Sequence, residues 1–343
     1  MNSISLLFIE ETISLLTDNI PCNSASFLHF SELTGTWAKI GERFRAEVFF
    51  YCIFIHPTHS LEDVFLAMER FTIKDGKQEH LTVADLYEYK FPRLAVISYV
   101  SVGWCTGRPG NSPGEHYTRV PFDSALTDAL KRALGARVCC RLHSFFNPEN
   151  EGERRMLDRL LEVFPRRFSA LSFKKSSPKT AEFILETDQN RPIHVMELGG
   201  KWSQTERFKD FIRNFMFQGD FAHLQLDSVE EYGCTTAEIF ENIISRWDRD
   251  PESFKWPCAS LNLSRGNVEE TTKLAKKYAQ WIGTHRYVRR HRIDDSILIF
   301  DVLGYDYRPP GPFTNLYDRF SLTKVTSPLH KITLQNHEGM KVW

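Results

Sequence analysis

The sequence lacks an excess of charge of either sign, and this absence limits the partners that its surface can attract over long distances. Among 343 residues, 43 Lys and Arg side chains are balanced by 44 Asp and Glu, which gives a formal net charge of −1 at pH 7. Long-range attraction to nucleic acid or to an anionic membrane needs a strong positive potential. We therefore expect neither nucleic acid nor a membrane as the partner.

Paired cysteines and long apolar runs are also missing. Seven cysteines are scattered along the chain without any Cys-x-x-Cys pair, a spacing that fits neither a disulfide framework nor a zinc site. Reduced thiols of this kind are typical of a cytoplasmic or nuclear protein, which is the localisation we expect. The strongest apolar run, residues 48–55, is far shorter than the about 20 residues of a membrane-spanning helix.

The sequence has none of the common catalytic signatures, such as a phosphate-binding glycine loop, a zinc-protease helix or a serine nucleophile elbow. His56 and His59 flank a proline, but no cysteine or carboxylate at ligand spacing accompanies them, and a surface loop is the better interpretation. Cys139 and Cys140 precede His143, yet successive side chains of a strand point to opposite faces. We therefore expect no enzymatic activity, no cofactor and no metal ligands.

Hydrophobic patterning divides the chain into four segments and predicts an α/β (overall α+β) fold. Residues 1–45 show helical periodicity, and residues 46–117 contain β-branched and aromatic runs that predict a small, mainly antiparallel sheet. Helix and strand patterns alternate over 118–301. Residues 302–343 show little periodicity, and we expect an irregular C-terminal tail there.

Four strand–helix units within residues 118–301 share one short pattern. Each predicted strand is apolar–polar–apolar, which directs two side chains inward and the middle one to the other face of the sheet. Such units are typical of a solenoid, in which neighbouring repeats bury a continuous core and leave a polar row on the sheet surface. The middle residues, which we predict to form a target-binding face, are Ser172, Glu197, Gln225 and Asn262.

This pattern resembles degenerate leucine-rich repeats. An ordinary open α/β sheet with parallel strands is the alternative interpretation, and its strands should be almost continuously apolar because helices cover both faces. The polar middle residues favour the repeat interpretation.

The N-terminal segment resembles an F-box of the divergent type found in nematode F-box proteins. Residues 3–16 stand where that motif has Leu-Pro followed by a helix ending in a leucine pair, although Ser5 occupies the position of the proline. Trp37 stands at the position of the motif's tryptophan. The resemblance implies docking on the Skp-type adaptor of a cullin–RING ubiquitin ligase. The residues expected to serve this docking are Ile4, Leu6, Leu7, Ile9, Leu16 and Trp37.

Three functional hypotheses follow. In the first, the chain is a non-enzymatic adaptor that recruits an unknown target protein to a ligase through its repeat face. In the second, the same face binds a protein partner, and the N-terminal unit packs on the rest of the chain without a ligase partner. In the third, the chain is an enzyme with its site at the carboxyl ends of an open parallel sheet.

Overall fold

The computed structural model divides the chain into two units, residues 1–203 and residues 204–343. The described residues are 34–47, 49–58, 60–72, 77–88, 95–103, 114–135, 138–146, 149–175, 177–200, 202, 205–218, 221, 223–226, 236–254, 258–262, 268–283, 286–291, 296–303, 319–325, 333–336 and 339–342.

The first unit alternates strands with helices along most of its described length. Its helices are α1 (Thr36–Glu47), α2 (Val83–Tyr87), α3 (Ser124–Gly135), α4 (Glu151–Val163) and α5 (Pro178–Asn190). Its strands are β1 (Phe49–Pro57), β2 (Asp63–Thr72), β3 (Gln78–Leu81), β4 (Ala95–Val102), β5 (Thr118–Pro121), β6 (Val138–Ser144), β7 (Phe168–Phe173) and β8 (Val195–Leu198).

These strands form one mixed sheet in the order β8-β7-β6-β4-β1-β2-β3, with β5 pairing β2. The strands β1, β4, β6, β7 and β8 run parallel to one another. The pairs β1–β2, β2–β3 and β2–β5 are antiparallel. The five parallel strands therefore lie side by side in the same order in which they follow one another in the sequence, from β1 to β8.

This strand order determines where the helices lie. Crossover connections between parallel strands are right-handed almost without exception. Because the chain moves from each parallel strand to the next in the same direction across the sheet, its connecting helices all lie on one face of the sheet. In agreement, α3 packs beside α4, and α4 packs beside α5. The core of the first unit lies between this row of helices and the sheet.

Local signals in the sequence explain where two of these helices begin. The Asn150 side chain accepts hydrogen bonds from the backbone N–H groups of Gly152 and Glu153, which caps α4. Ser177 and Thr180 form a capping box before α5, with a proline at the first helical turn. Such caps satisfy N–H groups that the helix leaves without partners, and each contributes about 1 kcal/mol.

The second unit contains helices α6 (Glu206–Phe215), α7 (Thr236–Arg249) and α8 (Val268–Tyr278), and a short 3-10 turn at Pro251–Ser253. Its sheet follows the order β11-β12-β13-β14-β10-β9. Only the pair β9–β10 is parallel among these described strands. The strands are β9 (His223–Leu226), β10 (Cys258–Asn262), β11 (Gln280–Gly283), β12 (Arg286–Arg290), β13 (Ile297–Leu303) and β14 (Arg319–Val325), while β15 (Thr333–Asn336) and β16 (Gly339–Val342) pair with each other.

The structure confirms the mixed α/β class and the four predicted strand–helix units. The first three predicted strands lie within β7, β8 and β9, and residues 261–262 of the fourth lie in β10, while residue 263 lies outside the described residues. A helix follows each of these four strands. Helix α1 begins directly after Gly35, whose φ is 73°. Every helix in the described part of the chain is too short or too polar to cross a lipid bilayer.

Two features differ from the expectation. The strands between residues 46 and 117 do not form a separate antiparallel sheet, because β4 pairs in parallel with both β1 and β6. In place of an irregular tail after residue 302, the described residues include β14, β15 and β16. Pairing between distant strands depends on long-range contacts, so local periodicity did not reveal either feature.

Candidate functional site

Five polar side chains on four parallel strands lie on one face of the first unit's sheet. We call Tyr99, Arg141, His143, Ser172 and Glu197 the polar sheet face. Tyr99 on β4 pairs in register with Arg141 on β6. His143 on β6 pairs with Ser172 on β7, which in turn pairs with Glu197 on β8. Residues that are in register on neighbouring strands project to the same face of a sheet, so these five side chains share one face.

The opposite face of the same strands is apolar and supports the helices. Leu142, Leu171 and Met196 each precede or follow a member of the polar sheet face, and all three are 0% exposed. Phe173 packs edge-on against Phe183 of α5. The period of two along each strand therefore separates a helix-packed face from the polar sheet face.

An ion pair between Arg141 and Glu197 crosses a whole strand. Arg141 Nη2 donates to Glu197 Oε1 at 2.7 Å, although β7 lies between the strands that carry these residues. Two strand spacings amount to about 10 Å, so the arginine must extend over β7. The side chains of β7 on this face are small, Ala170 and Ser172, and both are buried. Small residues at these two positions leave room for the guanidinium to reach Glu197.

His143 is held as a neutral imidazole in the middle of the polar sheet face. Its Nδ1 lies 3.2 Å from the Tyr99 hydroxyl, and its ring stacks on Phe145 with centroids 3.9 Å apart. Burial lowers the pKa of His143 to about 4; Glu197 opposes this shift, while Arg141 and Lys174 strengthen it. At neutral pH the ring therefore presents neutral hydrogen-bonding atoms.

Three buried polar atoms of this face have no hydrogen-bond partner among the described residues: Arg141 Nε, His143 Nε2 and Ser172 Oγ. Buried polar groups in folded proteins are almost always paired, and each exception calls for an explanation. Here the three atoms belong to neighbouring positions of one face. Because all three atoms are buried, a partner at the surface would instead meet the exposed parts of the Arg141 and Glu197 side chains.

A second group of side chains extends this face toward β1. His56 Nδ1 donates to the Gly103 carbonyl at 2.6 Å, which leaves Nε2 to accept from the Tyr117 hydroxyl at 3.1 Å. Burial lowers the pKa of His56, which favours this neutral form. Phe54 lies between Tyr99 and Tyr117, with centroid distances of 6.0 and 6.5 Å. The result is an aromatic margin beside the polar sheet face.

Gly103 is required where β4 ends. Its φ of 83° lies in the left-handed region, and an added Cβ would approach the Phe146 backbone nitrogen to 2.8 Å. Only glycine fits both conditions without a shift of the backbone. The carbonyl that orients His56 is therefore held at a fixed place.

The structure places the four predicted target-binding residues in two in-register pairs. Ser172 pairs with Glu197 in the first unit, and Gln225 pairs with Asn262 in the second unit. Ser172 is only 1% exposed, while the Glu197 side chain is 21% exposed. In the first unit, Glu197 is therefore far more accessible to a partner than Ser172.

Most residues predicted to dock a Skp-type adaptor lie outside the described residues. These are Ile4, Leu6, Leu7, Ile9 and Leu16. Trp37 lies in the first turn of α1 and is partly buried. In the same helix, Ile40 is buried.

The structure also shows where the cysteine and histidine residues lie that were considered for a thiol–imidazole pair or a metal site. Cys140 is buried beside Leu142 on the helix-packed side of β6, whereas His143 lies on the polar sheet face, so this thiol and this imidazole do not meet. His56 is buried and hydrogen-bonded at the end of β1, which corrects the surface loop that we expected. Across the described residues, no three His, Cys, Asp or Glu side chains are placed to hold a metal ion.

Tyr99, Arg141 and His143 were absent from the predicted site. The alternation Arg141-Leu142-His143 within a predicted strand was a usable signal, because it places two polar side chains on one face. No family model matches this chain, and searches among curated proteins and among solved structures find no match either.

The low pKa of His143 predicts a stability that falls in mild acid. An unfolded histidine has a pKa of about 6.5, so between about pH 6.5 and about pH 4 the unfolded chain binds a proton that the folded chain does not. Stability from this group is present at neutral pH and is lost as the pH falls through this window, by up to roughly 3 kcal/mol.

Urea unfolding of the wild type and of His143→Gln at about pH 7 and about pH 4.5 measures this effect. The advantage of the wild type over the variant should shrink by about 2–3 kcal/mol at the lower pH. An equal difference at both pH values would show that His143 is not held neutral.

Proposed function

We propose that this chain is a non-enzymatic adaptor that binds a target protein through the polar sheet face and docks a Skp-type partner of a ubiquitin ligase through its N-terminal segment. The observation that carries the first part is the partly exposed Arg141–Glu197 ion pair on the face of the sheet opposite the row of helices. The second part depends on the resemblance of residues 3–44 to an F-box.

The composition of the polar sheet face suits a protein partner. The side chains of Arg141 and Glu197 are 33% and 21% exposed, so both are accessible although each is partly desolvated. Arginine and aromatic residues are enriched in protein interfaces. Tyr99 is in register with Arg141, and its ring centroid lies 6.0 Å from that of Phe54. A partner with polar backbone or side-chain groups would pair with the exposed parts of Arg141 and Glu197.

The order of the strands supports the same proposal. Strand–helix units that step in one direction leave one sheet face without their connecting helices, which is the layout that leucine-rich repeats use for binding. The in-register pairs Ser172–Glu197 and Gln225–Asn262 fit repeats of this kind. Whether the two pairs act on one target is an outcome of the binding experiments.

Docking of the N-terminal segment is tested with a purified Skp-type adaptor. We expect the full chain to bind it, and the double variant Leu6→Asp, Leu7→Asp to lose at least about 100-fold in affinity, since each charge would need desolvation in an apolar interface. Isothermal titration calorimetry gives both affinities. The matched control, Ser3→Asp, adds a charge to the same segment outside the predicted docking residues and should bind like the wild type.

Unchanged binding by a folded double variant would contradict docking through Leu6 and Leu7. Failure of the wild-type chain itself to bind would favour the second hypothesis, a protein-binding face without a ligase partner. Thermal unfolding of each variant distinguishes loss of binding from loss of folding.

A further inference from the structure

Strand β11, in the sheet of the second unit, carries two exposed apolar side chains. Trp281 and Ile282 of β11 are 61% and 47% exposed, and no other large apolar residue is this exposed among those whose burial the structure describes. Successive side chains of a regular strand point to opposite faces, but the register of β11 shifts between Trp281 and Gly283. Exposed apolar surface that is contiguous often marks an interaction site.

Strand β11 lies at the edge of its sheet. It pairs with β12 on one side, and no described strand pairs with its other side. Proteins normally protect such edges with charged residues, prolines or a covering segment, because unpaired N–H and C=O groups attract other strands. Strand β11 is short and has a register shift between Trp281 and Gly283, but the side chains of Trp281 and Ile282 stay exposed at this edge.

Positive charge lies near the start of β11. Lys276, in the last turn of α8, and Arg290, at the end of β12, flank the start of the strand, and both are exposed. Neither forms an ion pair with a described residue, unlike their neighbours Lys277, which pairs with Glu241, and Arg289, which pairs with Asp248. Arg286 pairs in register with Gly283 at the other end.

We propose that the edge of β11 binds an extended acidic segment of a partner protein, which adds to the sheet as a further strand. Backbone hydrogen bonds would supply affinity, Trp281 and Ile282 would contact apolar side chains of the segment, and acidic residues would pair with Lys276 and Arg290. A second copy of this chain fits less well. Antiparallel pairing of two β11 strands would bring Lys276 and Arg290 of one copy toward Arg286 of the other.

A synthetic peptide of alternating glutamate and valine residues tests this proposal. We expect the full chain to bind it with a blue shift in tryptophan fluorescence that Trp281→Ser abolishes, and with at least tenfold lower affinity in the double variant Lys276→Glu, Arg290→Glu. Methylating alternate backbone nitrogens of the peptide should also abolish binding. Exposed substitutions usually change stability by less than about 0.5 kcal/mol, so these variants should fold.

Two matched controls complete the experiment. A peptide of alternating lysine and valine should not bind. Arg154→Glu, a charge reversal at an exposed position of α4 in the other unit, should bind the acidic peptide like the wild type. Equal binding of the methylated peptide would overturn the added-strand geometry, and equal binding of the lysine peptide would overturn the acidic specificity. A concentration-dependent dimer that Trp281→Ser dissociates would instead assign the edge to a second copy. None of these outcomes depends on the polar sheet face or on docking of a Skp-type adaptor.

Discussion

Leu171→Ala is expected to lower the free energy of unfolding by about 2–5 kcal/mol, whereas Ser172→Ala at the next position should change it by about 1 kcal/mol or less. Leu171 is 0% exposed and packs on the helix-covered side of β7. Ser172 is equally buried, but its hydroxyl has no hydrogen-bond partner in the described part of the chain, so alanine removes a desolvated polar group without breaking a bond. Urea unfolding measures both values.

The contrast between these adjacent positions tests the assignment of the two faces. Leu171→Met, which keeps the side-chain volume nearly constant, should cost less than about 1.5 kcal/mol. A shift of one residue in strand register would exchange the two faces. Equal losses for Leu171→Ala and Ser172→Ala would contradict the separation of a helix-packed face from the polar sheet face.

Arg141→Glu is the second substitution with a large expected effect. It would place two carboxylates together over β7 in place of an ion pair whose N–O distance is 2.7 Å. Because the pair is only partly exposed, the loss should lie between the values for exposed and buried pairs, at about 2–3 kcal/mol. The double reversal Arg141→Glu, Glu197→Arg restores opposite charges and should recover most of the loss.

A double-mutant cycle with urea unfolding separates this interaction from other effects of the two substitutions. The coupling between positions 141 and 197 should be at least about 1 kcal/mol. Additive losses, with no recovery in the double reversal, would show that the ion pair across β7 contributes nothing to stability.

Local pattern was enough to find the strand–helix units. The triplets around Ser172 and Glu197 each have two apolar residues about one polar residue, and helix-capping residues such as Ser177 follow at short distances. Period-two alternation depends only on neighbouring residues, so the sequence predicts which side chains share a face. The polar row was therefore predictable strand by strand.

Contacts between distant residues were not predictable in this way. Arg141 and Glu197 are 56 residues apart, and their ion pair depends on the register of three strands and on the small side chains of Ala170 and Ser172. Likewise, the burial of His56 depends on Gly103 and Tyr117, which reach it from other parts of the chain. The sequence pattern showed a histidine before a proline but not the partners that accept and donate its hydrogen bonds.

The strands of residues 46–117 also show that local pattern does not predict pairing between distant parts of the chain. Alternating and aromatic residues indicated β1, β2 and β4, and the antiparallel pairs β1–β2 and β2–β3 agree with the expected local pairing. Parallel pairing of β4 with β1 and β6 connects this segment to the strand–helix units. Because a parallel pair requires a long connection, no turn signal in the sequence marks it.

The central claim is that the chain binds a target protein and a Skp-type adaptor through two separate surfaces. The most direct test captures partner proteins on three forms of the chain from an extract of the cells that produce it. Quantitative mass spectrometry would follow the wild type, the double reversal Arg141→Glu, Glu197→Arg, and the double variant Leu6→Asp, Leu7→Asp. We predict that the double reversal loses a target protein but keeps a Skp-type adaptor, and that the Leu6, Leu7 variant loses the adaptor but keeps the target. Identical captured sets from all three folded forms would contradict recruitment through two separate surfaces.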